Sequence, residues 1–419
     1  MEDSEVKVEP LSNGSTLIYQ RGSNFPSFSL FILVPAGSIF ESEETNGYSH
    51  FIEHLVFKGT EKRSSKDISK EVEGIGCDIN AFTSTEYTGY YIRGRDKSFE
   101  KACDVLLDIV QNPIFPEEEI EKEKNVVIEE YYSIEDSPED LSLIELRKAI
   151  WKNTTYSFDV IGKVENIENA TKDSLILFFK NFYHPENLII SFYGNLPFDY
   201  IKKTVEEKLK NKNYQKNLIY LKEPPFFNEI NIKFKEIKQI HVHMAFKSYS
   251  VLSKEYPIHL VLLNILGGGM SSRLFQRIRE ELGLVYSIYS FNLSYKQTGA
   301  GVIYFATSKN NLKKVLEEIR NEFNKIKKDS INDEEIDRSK EFLIGNLLLR
   351  LENSLAKSER NGVNFYRKGY VEDIQEIINK IQNVKKNSLM EEFNKIDIEK
   401  FGFGVCGEVT QDDFRGIFK

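Results

Sequence analysis

Apolar positions along this chain recur with two periods, and the two alternate. Short runs rich in β-branched and aromatic residues predict strands over 16–20 and 28–34. Polar residues at 41–46 then lead into a helix whose apolar positions are Phe51, Ile52, Leu55 and Val56, with Gly59 placed to end it. Ser64 or Ser65 can cap a helix over 66–73, which Gly74 and Gly76 stop. Residues 78–95, rich in Thr, Tyr and Ile, read as two strands or one long bent strand. Helical spacing follows over 99–111, 117–132, 138–151 and 174–182. An apolar strand over 188–193 then closes on Gly194.

After a Lys/Asn/Glu-rich stretch and Glu223-Pro224-Pro225-Phe226, the order of elements starts again. Strands are predicted over 230–234, 241–246, 286–294 and 301–307. Helices are predicted over 257–266, 272–282, 312–327, 333–353 and 374–393. A final strand, 401–406, closes on Gly407 as the earlier one closes on Gly194. The pattern describes an α+β chain of two structurally repeated domains, without obvious identity between them. Each is expected to be an antiparallel sheet with helices packed on one side. The expected division is 1–215, a linker at 216–228, and 229–419.

Composition narrows what such a chain can do. With 419 residues, 40% of them hydrophobic, there is material for two cores. A formal net charge of −9 gives no electrostatic footing for nucleic acid or an anionic membrane surface. No apolar run approaches the roughly 20 residues needed to span a bilayer. The start, Met1-Glu2-Asp3-Ser4-Glu5-Val6, has neither the apolar stretch of a secretory signal nor the arginines of a transit peptide. Cys77, Cys103 and Cys406 are far apart, odd in number and outside any CxxC, so neither a disulfide framework nor a cysteine metal site is expected. The expectation is a cytoplasmic protein in a reducing compartment.

Candidate chemistry concentrates at His50-Phe51-Ile52-Glu53-His54. A helix turns roughly 100° per residue, so His50, Glu53 and His54 share one face. Imidazoles one turn apart can reach a single Zn²⁺, and a carboxylate beside them can act as a base toward water. The order H-x-x-E-H is the inverted zinc-peptidase motif. A bare pair of histidines at this spacing is more often chance or core packing. Here the glutamate on the same face, in a chain with only six histidines, favours metal. A catalytic zinc takes three protein ligands, and the acidic helix over 117–132 is the natural source of the third. Within it Glu123, Val127 and Glu130 form one stripe, and partly buried carboxylates need a partner. Spacing alone leaves both Glu129 and Glu130 open.

The motif, followed by Phe57-Lys58-Gly59-Thr60, resembles the pitrilysin family of zinc peptidases. Within that family it is most similar to the branch of mitochondrial processing peptidase and its bacterial relatives, over nearly the whole chain. The resemblance implies a third ligand 76 residues beyond His54, which is Glu130, and a supporting glutamate seven residues earlier, Glu123. It implies that Asn80, Ala81, Phe82 and Thr83 form an edge strand whose backbone pairs with substrate. It also implies that Arg279 and Tyr286, within Arg279-Glu280-Glu281-Leu282-Gly283-Leu284-Val285-Tyr286, contact the scissile region. Read from the residues alone, Arg279 is a charged helix residue and Tyr286 a strand aromatic.

The activity implied is that of a zinc-dependent endopeptidase with one Zn²⁺ per chain. Its substrates would be short or unstructured peptides, held extended inside an enclosed chamber. The family builds that chamber from two two-domain halves, like the halves of a clamshell. A chain holding both the zinc motif and the Arg/Tyr pair therefore implies a homodimer. The alternative is a non-catalytic subunit acting as scaffold or peptide-binding partner. Such subunits lose the zinc residues, whereas this chain keeps them all.

Other features carry less. Gly267-Gly268-Gly269 lacks the Lys-Ser/Thr of a phosphate loop and reads as a flexible turn. His241 and His243 share a strand face, but no third ligand is suggested beside them. His184 and His259 read as structural.

Overall fold

Residues 5–22, 25–210 and 221–414 are described by the computed structural model, and their strands gather into two sheets. The first holds β1 (Lys7–Pro10), β2 (Thr16–Arg21), β3 (Ser27–Val34), β4 (Asp78–Thr83), β5 (Thr88–Arg95) and β6 (Ile189–Gly194). Its order is β1-β2-β6-β3-β5-β4. The second holds β7 (Ile230–Phe234), β8 (Gln239–Ser248), β9 (Ser287–Ser294), β10 (Gly299–Ser308) and β11 (Gly402–Gly407), in the order β7-β11-β8-β10-β9. With β1 set aside, both sheets follow one rule: first strand, last, second, fourth, third. The α+β duplication expected from the element order is therefore a duplication of topology.

One detail differs from the expected antiparallel sheets. β2 pairs with β6, and β7 with β11, in parallel. In each half the last strand returns only after a long helical excursion, and such crossovers are what a parallel neighbour requires. The shared topology also exposes a trace of sequence identity that reading along the chain does not find. Helices Glu117–Glu135 and Asp333–Arg350 hold the same place in the two halves. Glu118-Glu119-Ile120 recurs in the second as Glu334-Glu335-Ile336.

Contacts divide the chain into two compact units. The first comprises Met1–Tyr131, Asp159–Tyr220 and Leu349–Glu372; the second comprises Tyr132–Phe158, Leu221–Leu348 and Asp373–Lys419. Each unit thus includes a helix from the other half of the sequence. Helix Pro138–Ile150 lies on β11, β8 and β7, and helix Ser354–Lys368 lies on β3 and β6. Glycines permit the first approach. A Cβ on Gly404 would sit 1.9 Å from Leu146 N and 2.2 Å from Ser142 O. Of the expected linker, residues 216–220 lie outside the described residues, and 221–229 run without helix or strand into β7.

Helix Ser354–Lys368 departs from the expectation of one helix over 333–353 with nothing before 374. Its fully buried residues, Ser358, Asn361 and Gly362, are small or polar, while Val363, Phe365 and Tyr366 pack half-buried against the apolar cluster around Phe31 and Leu33. Asn353 caps it through Leu355 N at 2.8 Å. Asn361 Nδ2 donates to Gln20 Oε1 at 2.8 Å, and Gly362 packs against Phe31. The helix expected over 374–393 is likewise two, Ile374–Gln382 and Lys386–Lys395. Aromatic packing anchors the first sheet to helix Phe99–Gln111, with Phe99 edge-on to Phe28 at 5.1 Å and to Phe192 at 5.5 Å. Among the described residues no helix is long and apolar enough to cross a membrane.

Candidate metal centre

Helix Tyr48–Leu55 carries the motif, packed on β4 and β5. It begins at Gly47 (φ +107°), a conformation that favours glycine, and Gly47 has no side chain to cap the helix. Glu41 fills that role from outside the helix. Its Oε2 accepts from Gly47 N and Asn46 Nδ2, both at 2.9 Å, and its Oε1 accepts from Ser49 N at 2.7 Å. Burial pushes the Glu41 carboxyl above the usual carboxylate range, and these donors pull it back. Phe51, Ile52 and Leu55 are fully buried. They fix the rotation of the helix, which turns His50, Glu53 and His54 the other way.

That rotation meets helix Glu117–Glu135. Glu130 Oε2 lies 3.4 Å from His50 Nε2 and 3.6 Å from His54 Nε2. Donors on a tetrahedral ion with bonds near 2.0–2.1 Å stand about 3.4 Å apart, so these separations suit a single Zn²⁺. Ligand atoms of His50, His54 and Glu130 all fall within 4.8 Å of one another, the one such set among the described residues. Burial, and secondarily the neighbouring His54, push His50 down to about 3. It is therefore held neutral, the form that ligates metal. Glu130 keeps a 45% exposed side chain, which leaves a way in from solvent. Two imidazoles and a carboxylate form a donor set zinc accepts, and of the two carboxylates left open it is Glu130 that lies near both imidazoles.

Glu123, 5% exposed, supports this set from behind. Its Oε2 is 3.1 Å from His54 Nδ1, and its Oε1 is 2.6 Å from Lys58 Nζ. Val127, between Glu123 and Glu130 on the stripe, is buried and anchors the helix. Glu53 is not among the donors. Its Oε2 accepts from Thr83 Oγ1 at 2.7 Å, and Thr83 Oγ1 lies 3.4 Å from Thr88 Oγ1. Burial pushes the Glu53 carboxyl up, and the Thr83 hydrogen bond opposes this. Asn80, Ala81, Phe82 and Thr83 all lie on β4, the outermost strand of its sheet, beside the motif helix. Asn80 Oδ1 accepts from Ala81 N at 2.8 Å.

Arg279 and Tyr286 belong to the other compact unit and meet each other there. The guanidinium of Arg279 stands 5.5 Å from the Tyr286 ring centre, and Tyr286 is 79% exposed. The other histidines are absorbed by structure. His243 Nδ1 is 2.8 Å from Ser142 Oγ, and His241 Nδ1 is 2.9 Å from Tyr304 Oη. His259 Nδ1 bonds Ser248 Oγ at 2.9 Å, and His184 accepts from Glu186 N at 3.2 Å. Gly267 ends helix Tyr256–Gly267, where a Cβ would sit 2.7 Å from Ser290 N. The sequence assigned no role to Lys58 or Glu41, and it gave Thr83 a role only through its backbone. Lys58 was discoverable, one turn beyond His54. The Thr83 side chain and Glu41 act through contacts that no local spacing announces.

Comparison with known proteins places this arrangement. The family described as insulinase (peptidase family M16) matches residues 17–163, and that described as peptidase M16 inactive domain matches residues 169–343. The chain belongs to the M16 peptidase family. This is the pitrilysin-type family that its motif resembles. The M16 chain is 36% identical to an uncharacterized zinc protease, YmxG, of Bacillus subtilis, over 98% of this chain and 97% of that one. It is 29% identical to the mitochondrial-processing peptidase subunit beta of Bos taurus, over 84% of this chain and 73% of that one. Its fold matches a peptidase M16 inactive domain from Pseudomonas fluorescens with a TM-score of 0.90 at 19% identity, covering 97% of this chain and 98% of that one. Within this M16 chain the metal set occurs in one half. At the positions of Glu123 and Glu130, the matching helix Asp333–Arg350 carries Ser339 and Asn346.

Proposed function

We propose that this M16 chain is a zinc endopeptidase acting on short or unstructured peptides. One observation carries the reading: two imidazoles and the Glu130 carboxylate converge on a single point while Glu53, beside them, is held by Thr83 and not by that point. His50, His54 and Glu130 would hold Zn²⁺, which when bound supplies a Lewis acid and makes water more acidic. Glu53 takes the proton of the attacking water and delivers it to the leaving amine. Its separate tether keeps its carboxylate free for that transfer. Glu123 fixes the orientation of His54. β4, an outermost strand, recognises an extended peptide by strand addition at Asn80, Ala81, Phe82 and Thr83. Folded proteins are then poor substrates.

The same reading makes the protein a homodimer. Arg279 and Tyr286 of one copy complete the site of the other, with Tyr286 donating to the developing oxyanion, and the two copies enclose the peptide.

The deciding experiment compares the wild type with Glu53→Gln on an unstructured peptide, with zinc stoichiometry measured on both. The variant is expected to keep zinc and lose turnover by at least about 100-fold. Unchanged cleavage refutes the role of Glu53. A zinc-loaded wild type that binds peptide without cleaving it favours the non-catalytic subunit instead. For the shared site, sedimentation run alongside activity decides, and a fully active monomer overturns it.

A further inference from the structure

Glu123 is a nearly buried carboxylate, and a buried charge is stable only when it is paired. Each of its oxygens meets a different partner: His54 Nδ1 at 3.1 Å and Lys58 Nζ at 2.6 Å. Lys58 reaches it because one 3₁₀ turn, Val56–Lys58, continues the motif helix by a further turn. That places Lys58 on the His54 side, four residues on. The chain then leaves at Gly59, whose φ of +144° disfavours other residues.

Three carboxylates, Glu53, Glu123 and Glu130, surround the two imidazoles. Among the described residues, Lys58 is the one lysine or arginine ion-paired with any of them. The support is also one-sided. His50 Nδ1 is buried without a hydrogen-bond partner, so His54 is the ligand held from behind. A carboxylate clamped at one oxygen by an ammonium can rotate only by breaking that pair. Clamped, it keeps the other oxygen on Nδ1, and the Nε2 lone pair stays directed at Glu130 and the metal position.

We infer that Lys58 is a positioning residue for the metal centre, locking Glu123 onto His54 and offsetting its charge. The inference rests on the metal reading above and adds to it a residue outside the ligand set.

The test uses the full chain and titrates zinc against a chromophoric chelator, with thermal unfolding of the metal-free protein measured in parallel. Lys58→Met is expected to weaken zinc binding about 10- to 100-fold, and Lys58→Arg to restore most of it. In a Glu123→Gln background, Lys58→Met should cost nothing further, because Lys58 acts through Glu123. Should Lys58→Met alone fail to fold, the Glu123→Gln/Lys58→Met pair, which also removes the buried charge, is compared with Glu123→Gln. A further loss of zinc affinity in that comparison overturns the inference. So does zinc affinity within twofold of wild type in a folded Lys58→Met. A wild type that binds no zinc is a different result, and it removes the metal reading itself.

Discussion

Thr83 Oγ1 donates to Glu53 Oε2 at 2.7 Å, tying the last residue of β4 to the carboxylate between the two histidines. The bond joins the proposed peptide-binding strand to the proposed base. Thr83→Val removes the donor at nearly constant volume, and Thr83→Ser keeps it. A hydrogen bond to a charged group contributes about 1.5–3 kcal/mol, so Thr83→Val should lower kcat about 10- to 100-fold and Thr83→Ser much less. Zinc content and KM should be unchanged in both. Equal losses in the two variants would mean that the strand, not the hydroxyl, is what matters.

Adjacent glutamates give a sharper contrast. Glu130 reaches both imidazoles, while Glu129 next to it is exposed and absent from the donor set. Glu130→Gln should weaken zinc binding by more than about 100-fold, beyond the loss typical of an outer-shell partner. Glu129→Gln should leave it unchanged. Chelator competition on the two proteins reads this directly, and similar affinities would displace Glu130 from the ligand set.

How much of this was legible in the sequence depends on the distance a contact spans. His50, Glu53 and His54 are set by helical period, so five residues suffice to place them on one face. Glu130 comes from a different helix. Its stripe with Glu123 and Val127 was visible, but its choice over Glu129 needed either the family resemblance or the rotation fixed by buried Val127. Element order revealed the duplication. It could not reveal that each unit takes a helix from the other half, because the pattern of a helix does not say which sheet it packs on; in helix Ser354–Lys368 the fully buried residues, Ser358, Asn361 and Gly362, are moreover small or polar. The parallel pairing of β6 with β2 and of β11 with β7 was equally hidden, since strand direction is a property of the return path.

The other exchanged helix gives a stability prediction. Helix Pro138–Ile150 lies so close to β11 that a methyl group on Gly404 would overlap the backbone of Leu146 and Ser142. Backbone cannot swing aside as a side chain can. Gly404→Ala should therefore destabilise by about 3 kcal/mol, the upper end of overpacking costs. Gly345→Ala, with open space around its Cβ position, should be tolerated. Urea unfolding of the two variants compares them, and a wild-type midpoint for Gly404→Ala would mean that the helix sits farther from the strand.

His243 sets an acid limit on the same unit. It is 1% exposed, and burial, with a secondary contribution from His241, pushes it down to about 3. An unfolded histidine titrates near 6.5, so between these values the unfolded chain binds a proton that the folded chain refuses. The contribution of neutral His243 to stability is complete above about pH 6.5. It falls by about 1.4 kcal/mol per pH unit as the pH drops toward about 3. His243→Gln retains a polar partner for Ser142 and cannot take up that proton. The metal-free variant should show a pH dependence of unfolding free energy shallower by about one proton between pH 6 and 4.5, whatever its stability at neutral pH. Parallel pH profiles for the two proteins would show that His243 is protonated in the folded state.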